Sequence, residues 1–340
     1  MIGYLVLLKQ LVAFLYIQPS HHAGLCLMMA EPVKIVVTGA AGLVGQNLIP
    51  RLEASGYTKV VAIDKHPANT SILRQLNPRV SVIEADLATA DGWQSTVADT
   101  DIVIVAHAQI GGLNRVAFVA NNVTATHRLI NAVRANNPYI VYIGSSVVEA
   151  AAEDLYTQTK REQERIIWAS GLPSVILRPT LMFGRFDRKH IGWLARFMHK
   201  TPVFPIPGHG HYPRQPLYCR DFCEIVISCI IHRPSGAAYN ISGQEKIDYL
   251  DLMLAVRDAC QARTAIIRVP YAIFWGLLQI YAKFDQDPPF TAKQLEALVA
   301  SDTFEVIDWP RIFGVNSTPL GTALRETFRD PVYSKIVLEF

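Results

Sequence analysis

The feature that most constrains the fold of this sequence is a short apolar run that ends in three closely spaced glycines. Residues 35–37 are isoleucine, valine and valine, a pattern typical of a strand buried on both faces of a parallel sheet. Gly39, Gly42 and Gly45 follow at a spacing that lets the backbone turn sharply, approach a ligand closely and pack the next helix against the strand. The helix predicted to start at these glycines would direct the free N–H groups of its first turn toward a phosphate.

A carboxylate stands where such a strand–turn–helix unit binds a ribose. The second apolar run, 59–63, ends in Asp64, about 20 residues beyond the last glycine. An acid at that position bonds the adenosine ribose hydroxyls, so the pattern predicts a dinucleotide ligand. A carboxylate also repels the additional phosphate of NADP, which favours NAD as the cofactor. Lys65, directly beside it, keeps NADP as the alternative.

Strands and helices continue to alternate beyond this unit. Apolar runs at 80–86, 101–106 and 139–143 predict three further buried strands, and 117–135 has the apolar spacing of a helix. This alternation predicts an α/β fold with a doubly wound parallel sheet. Ligands of such sheets bind beyond the carboxyl ends of the strands, so the residues just after each strand are candidates for binding.

The composition excludes several other classes of protein. Only 18% of the 340 residues are charged, the net charge is +3, and no basic block or mixture of basic and aromatic residues indicates a nucleic-acid partner. The cysteines form no pair at metal-ligand spacing, so we predict no metal site and reduced thiols, as in a cytoplasmic enzyme. They are Cys26, Cys219, Cys223, Cys229 and Cys260.

The first 31 residues precede the predicted fold. Residues 2–17 are strongly apolar, but the run is short for a membrane-spanning helix and Lys9 and Gln10 interrupt it. It also lacks the basic start of a secretory signal. We interpret residues 1–31 as an upstream extension that adds nothing to the fold, with a peripheral membrane anchor as the alternative.

The strand at 139–143 is followed by residues suited to acid–base chemistry. Ser145 and Ser146 come directly after it, and Tyr156 precedes Lys160 by four residues, which places both on one face of a helix. A cation near a phenol lowers its pKa, and lowering it by about three units requires roughly 4 kcal/mol. A lysine together with a cationic nicotinamide could supply that energy. Tyr156 is therefore predicted to act as general acid and base, with a serine hydroxyl polarising the reacting oxygen.

In these residues the chain resembles the extended short-chain dehydrogenase/reductase family, in its NAD-dependent epimerase and dehydratase branch. The resemblance covers about residues 33–330. The glycine motif reads Thr38-Gly-Ala-Ala-Gly-Leu-Val-Gly45, and Tyr156 and Lys160 match the catalytic pair. The resemblance implies a homodimer and gives Ser146 the catalytic and substrate-contacting hydroxyl, with Ser145 as a substitute. The pattern and the resemblance together assign cofactor binding to Gly39, Gly42, Leu43, Val44, Gly45, Asp64, Lys65, Asp86, Leu87, Ala106, Ala108, Asn122, Ser145, Tyr156, Lys160 and Pro179.

The resemblance also implies a substrate. Arg214 stands seven residues before Asp221, the spacing at which sugar-nucleotide members of the family hold the diphosphate with an arginine. A planar guanidinium bonds phosphate oxygens in pairs, so we predict that Arg214 binds a nucleotide sugar; a solvated loop charge is the alternative. Leu181 stands where those enzymes often carry asparagine. Valines at 147–148 replace the acid pair of a dehydratase, which favours an epimerase.

The chain divides by pattern into three regions. They are the apolar extension 1–31, an NAD-binding Rossmann domain 32–176, and a smaller substrate-binding lobe, mainly 177–335, from which 215–243 returns to the sheet. Residues 269–284 predict a helix that is apolar around nearly its whole circumference. Packing between the lobes or in a dimer interface is the first interpretation. An apolar rim for a lipid-like substrate or a membrane is the alternative.

Three functions are compatible with these patterns. The first is an NAD-dependent epimerase or dehydratase that oxidises a nucleotide sugar transiently to a ketone. The second is an oxidoreductase for a lipid, sterol or isoprenoid alcohol, which Leu181 and the apolar helix favour and Arg214 opposes. The third is a cofactor-binding subunit without turnover, which the intact Tyr156–Lys160 pair opposes. We expect a cytoplasmic location, with membrane association as the alternative.

Overall fold

Seven parallel strands form the central sheet of the protein. The computed structural model describes residues 32–149, 154–281, 292–299 and 306–339, and the apolar extension 1–31 lies outside them. The sheet strands are β1 Lys34–Thr38, β2 Lys59–Asp64, β3 Ser81–Glu84, β4 Ile102–Val105, β5 Tyr139–Ile143, β6 Ser174–Pro179 and β11 Ala237–Ile241. They stand in the order β11-β6-β5-β4-β1-β2-β3, and every neighbouring pair is parallel. This confirms the predicted doubly wound sheet, with its change of direction between β1 and β4.

The remaining elements are helices and short strands. The helices are α1 Leu43–Ala54, α2 Pro67–Leu76, α3 Trp93–Val97, α4 Arg115–Phe118, α5 Ala125–Val133, α6 Leu155–Ala169, α7 His190–Lys200, α8 Cys219–His232, α9 Tyr249–Cys260, α10 Tyr271–Tyr281, α11 Ala292–Val299, α12 Trp309–Phe313 and α13 Leu320–Phe328. The short strands are β7 Met182–Phe183, β8 Val203–Pro207, β9 Pro213–Arg214, β10 Leu217–Tyr218, β12 Ile247–Asp248 and β13 Ala265–Val269.

Both faces of the sheet are covered by helices because the strand side chains alternate. Ile35 and Val37 point into a core shared with α1, α8 and α12. Val36 points into the opposite core, shared with α3, α5 and α6. All three side chains are fully buried, as their continuous apolar character predicts.

A third, smaller core lies among the later elements of the chain. It gathers side chains of α7, α9 and α13 with those of the small strands, including the fully buried Ile206 and Met253. Strand β8 pairs with β13, and β9 pairs with β12. Across the described residues, no helix is both long and apolar enough to cross a membrane.

Some local predictions differ from the structure. Strand β3 ends at Glu84, because the Asp86 side chain accepts the Ala88 N–H at 2.9 Å and turns the chain. The helix predicted at 117–135 contains a π-helical stretch, Val119–Thr124. Asp248 stands before α9 without capping it, because its carboxylate bonds the His211 ring at 2.8 Å.

The apolar segment predicted at 269–284 forms α10 over Tyr271–Tyr281. We expected it to be packed, but five of its large apolar side chains are exposed to solvent in the described protein. The interpretation as an internal packing helix is therefore not supported by the single chain.

Candidate active site

The turn after β1 requires glycine at two positions. Gly39 has a φ of +63°, and a Cβ atom there would lie 2.7 Å from the carbonyl of Ala106. A Cβ atom on Gly45 would lie 2.2 Å from the carbonyl oxygen of Ala40. Gly39 therefore permits the turn to lie beside the end of β4. Gly45 lets α1 pack closely against the turn.

The first turn of α1 is open to an anion. Gly42 is its N-cap residue, no side chain caps it, and no acid lies in its first turn. The N–H groups at Leu43 and Val44 belong to the first turn, where intrahelical partners are missing and the helix dipole is positive. The shape of this turn and the positive end of the helix are therefore suited to a phosphate.

Asp64 and its neighbours form the part of the cofactor site that is expected to bind adenosine. The Asp64 carboxylate is buried at the end of β2 and accepts the N–H groups of Ala41 at 3.0 Å and His66 at 3.1 Å. Lys65 Nζ lies 3.4 Å from Asp86 Oδ2 and donates to Asn121 at 2.7 Å. Its ammonium is therefore held by an acid of the same site.

The remaining cofactor candidates stand at the carboxyl edge of the sheet. Leu87 is buried beyond β3, Ala106 and Ala108 follow β4, and Pro179 ends β6. The Ala106 N–H donates to the Thr38 carbonyl at 3.2 Å, which ties this loop to the glycine turn.

Asn122 has a different role from the one predicted. Its side chain is fully buried, accepts the Gln109 N–H at 2.6 Å and donates to Thr159 at 2.9 Å. The amide is therefore used within the protein to hold the loop after β4 against α6. Asn122 lies within the π-helical stretch, which positions its side chain for these hydrogen bonds.

A buried network surrounds His107. Its Nδ1 lies 2.8 Å from the Thr38 hydroxyl, and its Nε2 lies 3.0 Å from the Thr126 hydroxyl. Thr126 donates its proton to the Asn122 carbonyl at 2.6 Å, so Nε2 must be the protonated nitrogen. Burial and then the nearby Lys160 charge lower the pKa of His107 to about 3. His107 is consequently a neutral group held by hydrogen bonds within the protein.

Lys160 is the buried cation of the site. It is 1% exposed, donates to the Ile143 carbonyl at 2.9 Å, and its Nζ lies 4.5 Å from the ring centroid of Tyr142. Burial lowers the pKa of Lys160 to about 7, against the opposing effect of Glu164. The ammonium was expected beside the Tyr156 phenol; its contacts in this structure are the carbonyl and the Tyr142 ring instead.

Tyr156 lies at the same edge, with Ser145 as its partner. Burial raises the pKa of Tyr156, a hydrogen bond with the Ser145 side chain acts in the opposite direction, and Asp154 raises it further. Ser146, the predicted catalytic hydroxyl, is buried and begins the short 3₁₀ helix Ser146–Glu149. The partner of the phenol is thus Ser145, the substitute named by the resemblance, and the catalytic role of Ser146 stays a prediction.

Arg214 lies in the smaller lobe. Its guanidinium donates to the Pro213 carbonyl at 2.7 Å and to the Leu298 carbonyl of α11. Its charge also lowers the pKa of the Tyr249 phenol, although burial is the larger effect and raises that pKa. Arg214 is thus half-buried and is held by two backbone carbonyls.

Sequence reasoning missed one functional neighbour, Gln163. It accepts from the buried Tyr142 hydroxyl at 3.2 Å and donates to Thr126 at 3.0 Å, so it joins the histidine network to the ring beneath Lys160. A signal was available, because Gln163 follows Tyr156 and Lys160 at i+7 and i+3 on one face of α6.

Comparison with known proteins agrees with this geometry. The sequence profile of the NAD dependent epimerase/dehydratase family matches residues 35–242. A 3β-hydroxysteroid dehydrogenase/Δ5→4-isomerase of Mycobacterium tuberculosis is 25% identical, over 90% of this chain and 88% of its own length. A trifunctional UDP-glucose 4,6-dehydratase/UDP-4-keto-6-deoxy-D-glucose 3,5-epimerase/UDP-4-keto-L-rhamnose-reductase of Arabidopsis thaliana is 26% identical, over 68% of this chain and 39% of the larger protein.

Solved structures share the fold. The UDP-glucuronic acid 4-epimerase of Bacillus cereus, solved with NAD, has a TM-score of 0.65 at 22% identity and covers 87% of this chain and 98% of its own. The enzyme WbmF of Bordetella bronchiseptica, solved with NAD+, has a TM-score of 0.69 at 18% identity and covers 88% and 92%. The match of the family profile to most of the chain, joined to this fold, shows that the protein belongs to the NAD-dependent epimerase/dehydratase family.

Proposed function

We propose that this protein is an NAD-dependent epimerase that acts on a nucleotide sugar through a transient ketone. The observation that carries the proposal is the buried Lys160 and the Ser145-bonded Tyr156 at the carboxyl edge of the sheet, beside the glycine turn. A nucleotide sugar is supported by the names of relatives and fold neighbours that act on UDP-sugars, and by the position of Arg214 in the smaller lobe.

The residues of the glycine turn and of β2 fit a dinucleotide. The uncapped start of α1 suits a pyrophosphate, and the buried Asp64 suits the ribose hydroxyls and disfavours an added phosphate. Lys65 is already paired with Asp86, which leaves less positive charge for the phosphate of NADP. Bound NAD would supply a reversible acceptor for the hydride of a carbinol carbon.

The side chains of this protein would handle the proton. Tyr156 removes it from the substrate hydroxyl as the carbonyl forms, and returns it when the ketone is reduced from the opposite face. Ser145 donates to the reacting oxygen, where negative charge develops. Lys160, the buried cation nearby, favours the phenolate form of the base.

An epimerase is favoured over a dehydratase by the residues that follow Ser146. Positions 147–148 are valines, and the next carboxylate, Glu149, is held by Arg178 at 2.6 Å and by Asn240 at 2.8 Å. Arg178 is itself fixed by the buried Glu164 at 2.8 Å. Glu149 is therefore committed to packing the 3₁₀ helix onto the sheet, which argues against its use as the acid that removes water.

The test is a turnover assay of the full chain with NAD and a panel of UDP-, dTDP- and GDP-sugars in deuterated water. An epimerase gives a mixture of the two epimers, accumulates no reduced cofactor, and introduces no solvent deuterium at the carbinol carbon. A dehydratase instead gives a 4-keto-6-deoxy product that carries solvent deuterium. If Tyr156→Phe turned over as fast as the wild type, Tyr156 would not be the base; a wild type without turnover on any substrate would restore the alternative of a non-catalytic subunit.

A second candidate is an NAD-dependent dehydrogenase of a lipid, sterol or isoprenoid alcohol. The observation that favours it is the exposed apolar helix α10, together with the identity to a steroid dehydrogenase over most of both chains. The same assay separates the two, because a dehydrogenase converts NAD in proportion to its product. Accumulation of reduced nicotinamide with a sterol, and no product from any sugar nucleotide, would select this second function.

A further inference from the structure

Helix α10 exposes apolar side chains that a water-soluble surface rarely carries together. Ile273, Leu277 and Ile280 are 56%, 58% and 55% exposed, and Tyr271 and Trp275 are exposed as well. The only strongly polar side chain described in the helix is Gln279, which is also exposed. A helix that is apolar all round is normally buried, so this surface requires a cover.

Two further exposed apolar side chains lie on the strand pair that precedes α10 in the chain. Strand β13 leads directly into α10 and pairs with β8. Ile267 of β13 and Val203 of β8 are 45% and 40% exposed. Val203 is paired with Ala265, two residues before Ile267, so both side chains lie on one face of this strand pair.

Two exposed cations lie on the strand that leads into α10 and just before it. Arg268 belongs to β13 and Arg263 precedes it, and both side chains are exposed. Acids stand farther away along the chain, at Asp258 and Asp285, and Glu296 of α11 is exposed. The two arginines beside an apolar, aromatic-rich helix are complementary to a surface that is apolar inside and anionic at its rim.

We propose that α10 and β13 dock the protein onto the surface of an anionic lipid bilayer. The helix has 11 residues and is about 16 Å long, half the thickness of a bilayer core, so it lies along the interface rather than across it. Tyr271 and Trp275 are amphipathic aromatic residues of the kind that settle at the headgroup level. A second copy of the chain is a weaker occupant, because a helix of this size offers far less than the roughly 800 Å² that each partner of a stable interface buries.

Docking at this surface would bring the substrate side of the protein near the bilayer. Helix α10 packs against α11, and α11 supplies the Leu298 carbonyl that accepts from Arg214. The predicted substrate-binding arginine is therefore one helix away from the docking surface. The proposal does not depend on the identity of the substrate.

The experiment is co-sedimentation of the full chain with phosphatidylcholine vesicles, with and without phosphatidylglycerol. We expect binding to the anionic vesicles only. The variant Ile273→Gln/Leu277→Gln/Ile280→Gln should weaken it tenfold or more, because it removes the side chains that enter the bilayer. Arg268→Ala should weaken it about fivefold and make it less sensitive to salt.

The matched control carries the same change on exposed isoleucines elsewhere. Ile231→Gln/Ile312→Gln alters side chains that are 61% and 50% exposed on α8 and α12, and it should bind like the wild type. Circular dichroism and the urea midpoint verify that every variant is folded. The proposal is overturned if the triple variant binds as well as the wild type, or if neutral and anionic vesicles bind equally. A dimer that the triple variant loses, without any vesicle binding, would assign the surface to a second copy instead.

Discussion

Replacing Lys160 by methionine should stabilise the protein without cofactor while abolishing its activity. The side chain is 1% exposed, and burial lowers its pKa from 10.5 to about 7. A shift of that size corresponds to about 4 kcal/mol of destabilisation at pH 7, because the unfolded chain binds a proton that the folded chain only half retains. By pH 9 the same cost falls to about 2 kcal/mol, so stability rises with pH between about 7 and 10.5.

Methionine removes this cost but leaves the Ile143 carbonyl without its 2.9 Å partner. An unsatisfied buried carbonyl costs about 1–3 kcal/mol. The variant should therefore be more stable than the wild type by about 1–3 kcal/mol at pH 7 and by about zero at pH 9. Its turnover should be lost, because the lysine of the proposed Tyr156–Lys160 pair is gone.

The assay is equilibrium urea unfolding of both proteins at pH 7 and pH 9 without cofactor. Lys335→Met, which changes an exposed lysine, is the control and should leave the pH dependence of stability as it is in the wild type. The reasoning is refuted if the difference between Lys160→Met and wild type is the same at both pH values. It is also refuted if the variant is several kcal/mol less stable at pH 7.

Three further predictions concern the same site. Ser145→Ala should lower kcat about a hundredfold and Ser146→Ala much less, since only the first hydroxyl bonds the phenol; equal losses would contradict the assignment. Asp64→Asn should weaken NAD binding about tenfold and NADP binding less, measured by titration calorimetry, because the ribose loses a charged acceptor. His107 has a folded pKa of about 3, so the protein should lose about 2 kcal/mol of stability from this group as pH falls from 7 to 5. His107→Gln should lack that loss in urea titrations, and an unchanged acid dependence would show that other groups cause it.

The central sheet could be predicted from the sequence because its strands are apolar on both faces. Runs such as 35–37 and 139–143 allow no assignment but a buried parallel strand, and the glycines between them fix the turns. Boundaries were less certain where a side chain redirects the chain. The Asp86 carboxylate ends β3 through a backbone hydrogen bond that apolar periodicity does not record.

The candidate site could be predicted as a set of residues but not as a set of contacts. Spacing placed Tyr156 and Lys160 on one face of α6, and the glycine motif located the phosphate cradle. Which of two adjacent serines meets the phenol depends on where the 3₁₀ helix begins, and a shift of one residue exchanges them. The surroundings of α10 could not be predicted either. An apolar sequence predicts that a helix is buried, but it does not identify the partner that covers the helix.

The network around His107 explains why the site contains one buried positive charge rather than two. Burial is the main reason that the imidazole of His107 stays neutral, and the nearby ammonium of Lys160 lowers its pKa further. The hydroxyls of Thr38 and Thr126 bond both ring nitrogens of the neutral form, which removes any reason for the ring to take up a proton. The buried positive charge of this pair is therefore carried by Lys160, whose ammonium is held by the Ile143 carbonyl and the Tyr142 ring. The folded protein is therefore destabilised by the burial of the Lys160 charge, and that charge lies at the edge of the sheet where the Tyr156 phenolate would form.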